Sequence, residues 1–179
     1  MSDPVAYRAH RWAWWIATGL GSGRLRPAPG TWGSLAACIA WLALVYLIHP
    51  LPHAAFECVL GIVSLLMVFF SVVSAGLVIS EAGSPDPSYI VCDEWAGMWL
   101  ALWPARQLVV LSIGGGSQTN ALMAVSAAFL LFRIFDIWKP WPVRKLESLP
   151  GGWGVTMDDA MAGIYAGLLL YCARAFIPL

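Results

Sequence analysis

The sequence predicts an all-α polytopic membrane helix bundle, with four to five transmembrane helices and an N-terminal interfacial helix, in one domain over residues 1–179. Two observations carry that prediction. The first is composition: 60% of the 179 residues are hydrophobic, 11% are charged and the formal net charge is +0. A soluble domain carries about 25% charged residues. The second is that the apolar residues fall in long uncharged runs, the signature of membrane-spanning helices. The same arithmetic excludes a disordered chain, which needs low hydrophobicity and high charge. It also excludes a nucleic-acid binder, which needs excess basic charge for phosphate backbones.

Tyr7–Leu20 reads as the interfacial helix, because Arg8 and Arg11 beside Trp12, Trp14 and Trp15 suit the headgroup layer. This opening lacks the short aliphatic core and cleavage site of a secretory signal. The first span is expected to start near Ser34, with Thr31 or Ser34 as its cap, and to end before His49-Pro50. Cys58–Ile79 is uncharged and long enough to cross about 30 Å of hydrocarbon at about 1.5 Å per residue. Ser80–Glu94 is polar and carries four acids. Trp95–Ile113 is apolar but interrupted by Pro104 and Arg106, so it is either one kinked span or a short span with an interfacial piece. Gly114–Ser117 makes a turn, and Ala121–Trp138 is the next span. Lys139–Asp159 is polar and rich in Pro and Gly, and Ala160–Ala173 leads a last span ended by Arg174. No internal repeat is visible. Cys38, Cys58, Cys92 and Cys172 form no CxxC pair, so neither a zinc site nor a disulfide framework is expected.

Orientation follows from the basic residues. Arg8, Arg11, Arg24 and Arg26 precede the first span and put that end in the cytoplasm; the linker His49–His53 has no Lys or Arg and faces out. Alternation then gathers Gly19–Ser34, Glu81–Glu94 and Arg133–Asp159 on the cytoplasmic face, where most of the charge lies.

The acids there come as doublets. Asp93-Glu94 is expected to open one helix and Asp158-Asp159 another, with Thr156 as an N-cap. Compensation of a helix dipole accounts for one acid per helix, at about 0.3–1 kcal/mol each. Adjacent carboxylates repel at a partly desolvated boundary. A divalent cation removes that repulsion, and hard oxygen ligands in this number suit Mg2+. Both readings stand at this point. Arg133 and Asp136, three apart, share a helix face, with Lys139 a turn further on and Pro140 after it. They form either an ion pair with a snorkelling lysine, or a phosphate site in which Asp136 orients Arg133 or joins the metal. Charges at membrane depth are costly, which favours function. The glycine-rich segments Gly19–Arg24, Pro29–Ser34 and Gly151–Gly154 are turns whose backbone N–H groups suit an anion. No Gly-Lys-Ser/Thr follows, so they are not a Walker A loop. The expected catalytic residues are Asp93, Glu94, Asp136, Asp158 and Asp159. Mg2+ is expected on Asp93, Glu94, Asp158 and Asp159, and substrate phosphate on Ser22, Gly23, Thr31, Ser34, Arg133, Lys139 and Gly152. The Trp-rich boundary points to a phospholipid substrate whose tails stay in the bilayer.

In its motifs the sequence resembles the phosphatidylglycerophosphatase A family. The matching blocks are Gly19–Ser34, Asp93–Trp99, Phe132–Pro142 and Gly151–Gly163, in order over most of the chain. The resemblance implies a Mg2+-dependent, multi-pass phosphatase of the bacterial inner membrane with its active site facing the cytoplasm. It implies hydrolysis of phosphatidylglycerophosphate to phosphatidylglycerol and phosphate. Carried over by position, Asp93, Glu94, Asp158 and Asp159 match the acidic motifs, and Arg133, Asp136 and Lys139 the basic helix-end motif. Val155-Thr156 stands where Ile-Met is expected, and Pro104–Asn120 is longer than usual.

Water or a carboxylate remains open as the nucleophile. A histidine intermediate is disfavoured, since His49 and His53 fall on the opposite face, and Cys92 is not followed by the Cys-x5-Arg loop of cysteine phosphatases. A CDP-alcohol phosphotransferase would need acids one helical turn apart on neighbouring helices. A small transporter would need charges near the bilayer midplane, where Cys58–Ile79 has none.

Overall fold

The structure, a computed structural model, is described for residues 10–84 and 87–173. Tyr7 and Arg8 of the expected interfacial helix, and Arg174 at the end of the last span, lie outside the described residues. All regular elements among the described residues are helical.

Helix α1 (Arg11–Ala17) buries Ala13, Trp14 and Ala17 and exposes Trp12 and Trp15. A 3₁₀ segment, Gly19–Arg24, follows it. Helix α2 (Pro29–Ile48) starts five residues before the expected Ser34. Proline has no N–H to lose in a first turn, and its fixed φ suits that position. Thr31 and Ser34 therefore sit inside α2 and cap nothing; the Ser34 hydroxyl donates to the Gly30 carbonyl at 2.9 Å.

Helix α3 (His53–Ala82) has 30 residues. At about 1.5 Å each it is about 45 Å long, so its ends stand in the headgroup layers. There Glu81 accepts from the His10 ring at 2.6 Å and from the Trp14 indole at 2.6 Å, which pins α1 to α3. Helix α4 (Cys92–Leu102), a 3₁₀ turn at Trp103–Ala105 and α5 (Arg106–Ile113) run on as one kinked span of 22 residues. Pro104 lies in the kink, and Arg106 is paired there with Glu57 at 2.7 Å. Helix α6 (Gln118–Trp138) is capped by Ser117, which accepts from the Asn120 N–H at 3.2 Å. Short α7 (Val143–Leu146) leads to α8 (Gly152–Ala173).

α8 begins eight residues before the expected Ala160, so Asp158-Asp159 lies inside it and does not open it. Thr156 is not an N-cap either: it is fully buried and shares a 2.8 Å hydrogen bond with Ser71. Of the glycines read as a turn, Gly151 stays in one (φ 59°), whereas Gly152 and Gly154 are helical and bare where the backbone packs closely. A Cβ on Gly152 would overlap the Val72 carbonyl oxygen of α3 and lie 2.7 Å from the Gly76 nitrogen.

Among the described residues, four helical runs are long and apolar enough to cross a membrane: α2, α3, α4–α5 and α6. α8, the fifth long helix, packs along α4, and its buried face is mostly small: Ala162, Gly163, Ala166 and Gly167. In lipid, helices associate through close packing of such residues. A Cβ on Gly163 would overlap the Gly97 carbonyl oxygen, and one on Gly97 would lie 2.5 Å from the Asp159 carbonyl oxygen. This bare crossing sets α4 and α8 close enough for their acids to meet one turn away. The start of α2, the end of α3, the start of α4, the end of α6 and the start of α8 share one end of the bundle.

Candidate active site

At that end lies a cavity of about 670 Å³. Its wall includes Asp93 and Glu94 from α4, Arg133 and Asp136 from α6, Lys139 after α6, and Asp158 and Asp159 from α8. The sequence spreads these residues over 67 positions, 93 to 159; α4, α6 and α8 bring them together.

Asp93 and Glu94 stand in the first turn of α4, and Asp159 faces them from α8. One carboxylate oxygen from each of the three lies within 4.8 Å of the others. Asp93 Oδ1 and Glu94 Oε2 are buried and have no hydrogen-bond partner among the described residues. A buried carboxylate without a partner costs several kcal/mol, so the arrangement calls for positive charge. Gly30 of α2 clears the space, since a Cβ there would overlap Glu94 Oε1. Three hard oxygen donors on a polar cavity fit a small divalent cation that keeps some of its waters.

Asp158 differs from the expectation of four converging acids. It is not one of this trio: its Oδ2 accepts from Lys139 Nζ at 2.8 Å. Lys139 has a left-handed backbone (φ 47°, ψ 61°) that ends α6 and turns its side chain to α8. Its ammonium also meets Glu147 at 3.1 Å. Burial alone would lower the Lys139 pKa, but the hydrogen bonds and charges of Asp158 and Glu147 outweigh it and raise it above the ordinary lysine range. Arg133 pairs with Asp136 at 2.7 Å, on the shared face their spacing predicts, and its Nη1 donates to Ser34 Oγ at 3.4 Å.

Several expected phosphate contacts fall elsewhere. Ser22, Gly23 and Thr31 do not line the cavity. The Ser22 hydroxyl donates to the Gly19 carbonyl at 2.8 Å, Gly23 presses on the Tyr89 carbonyl, and Thr31 is exposed on α2. Gly152 is a packing residue against α3; its neighbour Gly151 lines the cavity. Ser34 reaches the site only through Arg133. Gly30, in the glycine-rich segment Pro29–Ser34, lines the cavity, as do Ser88 and Glu147, which the motifs do not single out. The signal for Glu147 is its charge within the Lys139–Asp159 polar segment, but no helical spacing relates it to Lys139.

The cavity therefore holds an acidic trio suited to a cation, beside two cations held by carboxylates. In chemical character that combination suits a phosphate group accompanied by a divalent cation.

The sequence profile of the family described as Phosphatidylglycerophosphatase A matches residues 15–174. A protein of Bacteroides thetaiotaomicron named "Putative phosphatidylinositol-3-phosphatase" is 42% identical over 159 residues, 89% of this chain and 91% of that protein. Escherichia coli and Haemophilus influenzae proteins, each named Phosphatidylglycerophosphatase A, are 35% and 33% identical. The alignments cover 92% and 89% of this chain, and 84% and 86% of those proteins. No solved structure matches the chain.

Proposed function

The chain belongs to the phosphatidylglycerophosphatase A family, and on that premise we propose that it hydrolyses phosphatidylglycerophosphate to phosphatidylglycerol and inorganic phosphate. The reaction depends on Mg2+ and takes place at the cytoplasmic face of a bacterial inner membrane. The observation that carries this reading is the buried trio Asp93, Glu94 and Asp159, two of whose oxygens lack hydrogen-bond partners, beside Arg133 and Lys139. The sidedness rests on Arg24, Arg26, Lys139, Arg144 and Lys145, all in segments at the cavity end of the bundle.

Asp93, Glu94 and Asp159 would hold Mg2+, which when bound supplies charge that polarises the phosphoryl oxygens. Arg133 binds the phosphomonoester, and Asp136 fixes the guanidinium in place. Lys139 offsets the negative charge that builds as the P–O bond breaks, while Asp158 and Glu147 hold its ammonium at the cavity wall. Phosphoryl transfer needs mainly such positioning and electrostatics. Water enters the products overall: its oxygen stays on phosphate and a proton goes to the glycerol oxygen. The lipid tails remain in the bilayer against the exposed apolar faces of the helices, such as Leu65 and Phe69 of α3.

The name of the Bacteroides relative supplies a second substrate to weigh, phosphatidylinositol 3-phosphate. The test is phosphate release by the purified chain from phosphatidylglycerophosphate, phosphatidylinositol 3-phosphate and phosphatidic acid, with Mg2+ and with EDTA. The expected result is Mg2+-dependent release, fastest from phosphatidylglycerophosphate. Release that ignores EDTA contradicts the metal assignment, and faster release from another lipid contradicts the substrate.

A further inference from the structure

The glycine-rich segment after α1 borders a different cavity from the acidic one. This second cavity, of about 180 Å³, is lined by Trp14, Thr18, Gly23, Arg24, Arg26 and Tyr89. We propose that it is a second, non-catalytic anion site that takes a phosphate group through Arg24 and Arg26. The proposal goes beyond the reading of the acidic cavity and does not depend on it.

Charge is the first argument. Arg106 and Arg133 are each paired with a carboxylate. Arg24 and Arg26 border one cavity and have no acidic partner among the described residues. Both side chains are exposed, and two guanidiniums on the wall of one cavity can give a phosphate forked hydrogen bonds.

The walls are built as well. Gly23 N–H donates to the Thr18 carbonyl at 3.0 Å, and the Thr18 hydroxyl donates to the Trp14 carbonyl at 2.8 Å. A Cβ on Gly23 would overlap the Tyr89 carbonyl oxygen, so this glycine lets the 3₁₀ segment lie on the α3–α4 link. The Trp14 and Tyr89 rings stack at 5.5 Å beside the arginines. The volume exceeds that of several waters at about 30 Å³ each, which is room for a tetrahedral phosphate.

Place is the third argument. Ser88 and Ile90 line the acidic cavity, whereas Tyr89 between them lines this one. The two cavities thus share one strip of chain in their walls. The acidic cavity repels an anion that lacks a cation; the arginine cavity attracts one. With Trp12 and Trp15 exposed on α1, the site lies at headgroup depth.

The ligand chemistry is a phosphate, either the phosphodiester of an anionic phospholipid or free inorganic phosphate. The test is equilibrium binding of short-chain phosphatidylglycerol, inorganic phosphate and short-chain phosphatidylcholine to the purified full chain in detergent. Wild type is compared with the Arg24→Gln/Arg26→Gln double variant. The acidic cavity contributes equally to both, so the difference isolates the arginines; thermal unfolding checks that the variant is folded. The expected result is a dissociation constant for phosphatidylglycerol raised about ten-fold or more in the variant, with weak, unchanged phosphatidylcholine binding. If inorganic phosphate shows the same arginine dependence and competes, the site is a general phosphate site; if only the lipid does, it is a headgroup site. Equal phosphatidylglycerol affinity in the two folded proteins, or equal wild-type affinity for phosphatidylcholine, overturns the proposal.

Discussion

Gly163→Ala adds one methyl group at the crossing of α4 and α8, one helical turn from the acidic trio, and changes no charged side chain. The new Cβ would overlap the Gly97 carbonyl oxygen and lie 2.8 Å from its carbon and 2.9 Å from its Cα. Non-bonded carbons settle at about 3.5–4.0 Å, so the helices must part by roughly 1 Å. Backbone atoms cannot swing aside as a side chain does, and overpacking of this kind costs about 1–3 kcal/mol. Asp159 lies one turn before Gly163 on α8, and Asp93 one turn before Gly97 on α4, so the same parting widens the acidic trio. A misplacement of about 1 Å at a reacting centre costs on the order of 100-fold in rate. The assay is phosphate release from phosphatidylglycerophosphate by reconstituted protein, with thermal unfolding alongside. Gly76→Ala is the control, because its Cβ would meet the nearest atom, the Gly152 nitrogen, at 3.6 Å, an ordinary contact. It should change stability by no more than about 1 kcal/mol, in the stabilising direction that helix propensity sets, and leave activity as it is. A Gly163→Ala protein with wild-type turnover and wild-type stability refutes the reasoning that this contact sets the site.

Asp159→Asn should reduce turnover on the order of 100-fold or more while the protein still inserts and elutes as wild type does; near wild-type phosphate release would contradict its place in the trio. Gly30→Ala should leave stability nearly unchanged, since its Cβ meets the flexible end of Glu94. It should raise the Mg2+ concentration needed for half-maximal rate, read from a Mg2+ titration. Lys139→Met leaves Asp158, whose side chain is 6% exposed, without its cation. Removing one partner of a buried pair costs about 3–5 kcal/mol, and the lysine's partial exposure puts the expected loss at the lower end. Thermal unfolding should recover in Lys139→Met/Asp158→Asn. Arg133→Ala should raise KM more than it lowers stability; a collapse in expression with unchanged activity per folded molecule would make the Arg133–Asp136 pair structural only.

Much of the site was legible because charge is so scarce. With 20 charged residues in 179 and basic residues biased to one side, alternation of apolar runs alone gathers Asp93, Asp159, Arg133 and Lys139 at one face. The i,i+3 spacing of Arg133 and Asp136 likewise gives their pairing directly. What was not legible is what bare glycines do in three dimensions. Gly152 and Gly154 read as a turn before an acid pair, yet they are α8's contact surface, and the helix runs through them. Ser22 and Gly23 suit an anion by composition, but Gly19, Leu20 and Gly21 all have positive φ, and the segment turns toward the α3–α4 link. The split roles of the second doublet were hidden for a related reason. Asp158 and Asp159 are neighbours in sequence, but successive side chains on a helix point about 100° apart. One therefore takes Lys139 and the other joins Asp93 and Glu94. Only the left-handed turn at Lys139, invisible in a run of polar residues, decides which acid the lysine reaches.

The account turns on Asp93, Glu94 and Asp159 sharing one dication. The most direct test is titration of the purified chain with Mn2+ as a paramagnetic stand-in for Mg2+, following bound ion by electron paramagnetic resonance, with Mg2+ as competitor. The account predicts saturable binding that Mg2+ displaces and that Asp159→Asn and Glu94→Gln each weaken severely, while Asp158→Asn weakens it much less. Absence of saturable binding in the wild type, or binding indifferent to Asp159 and Glu94, would contradict it.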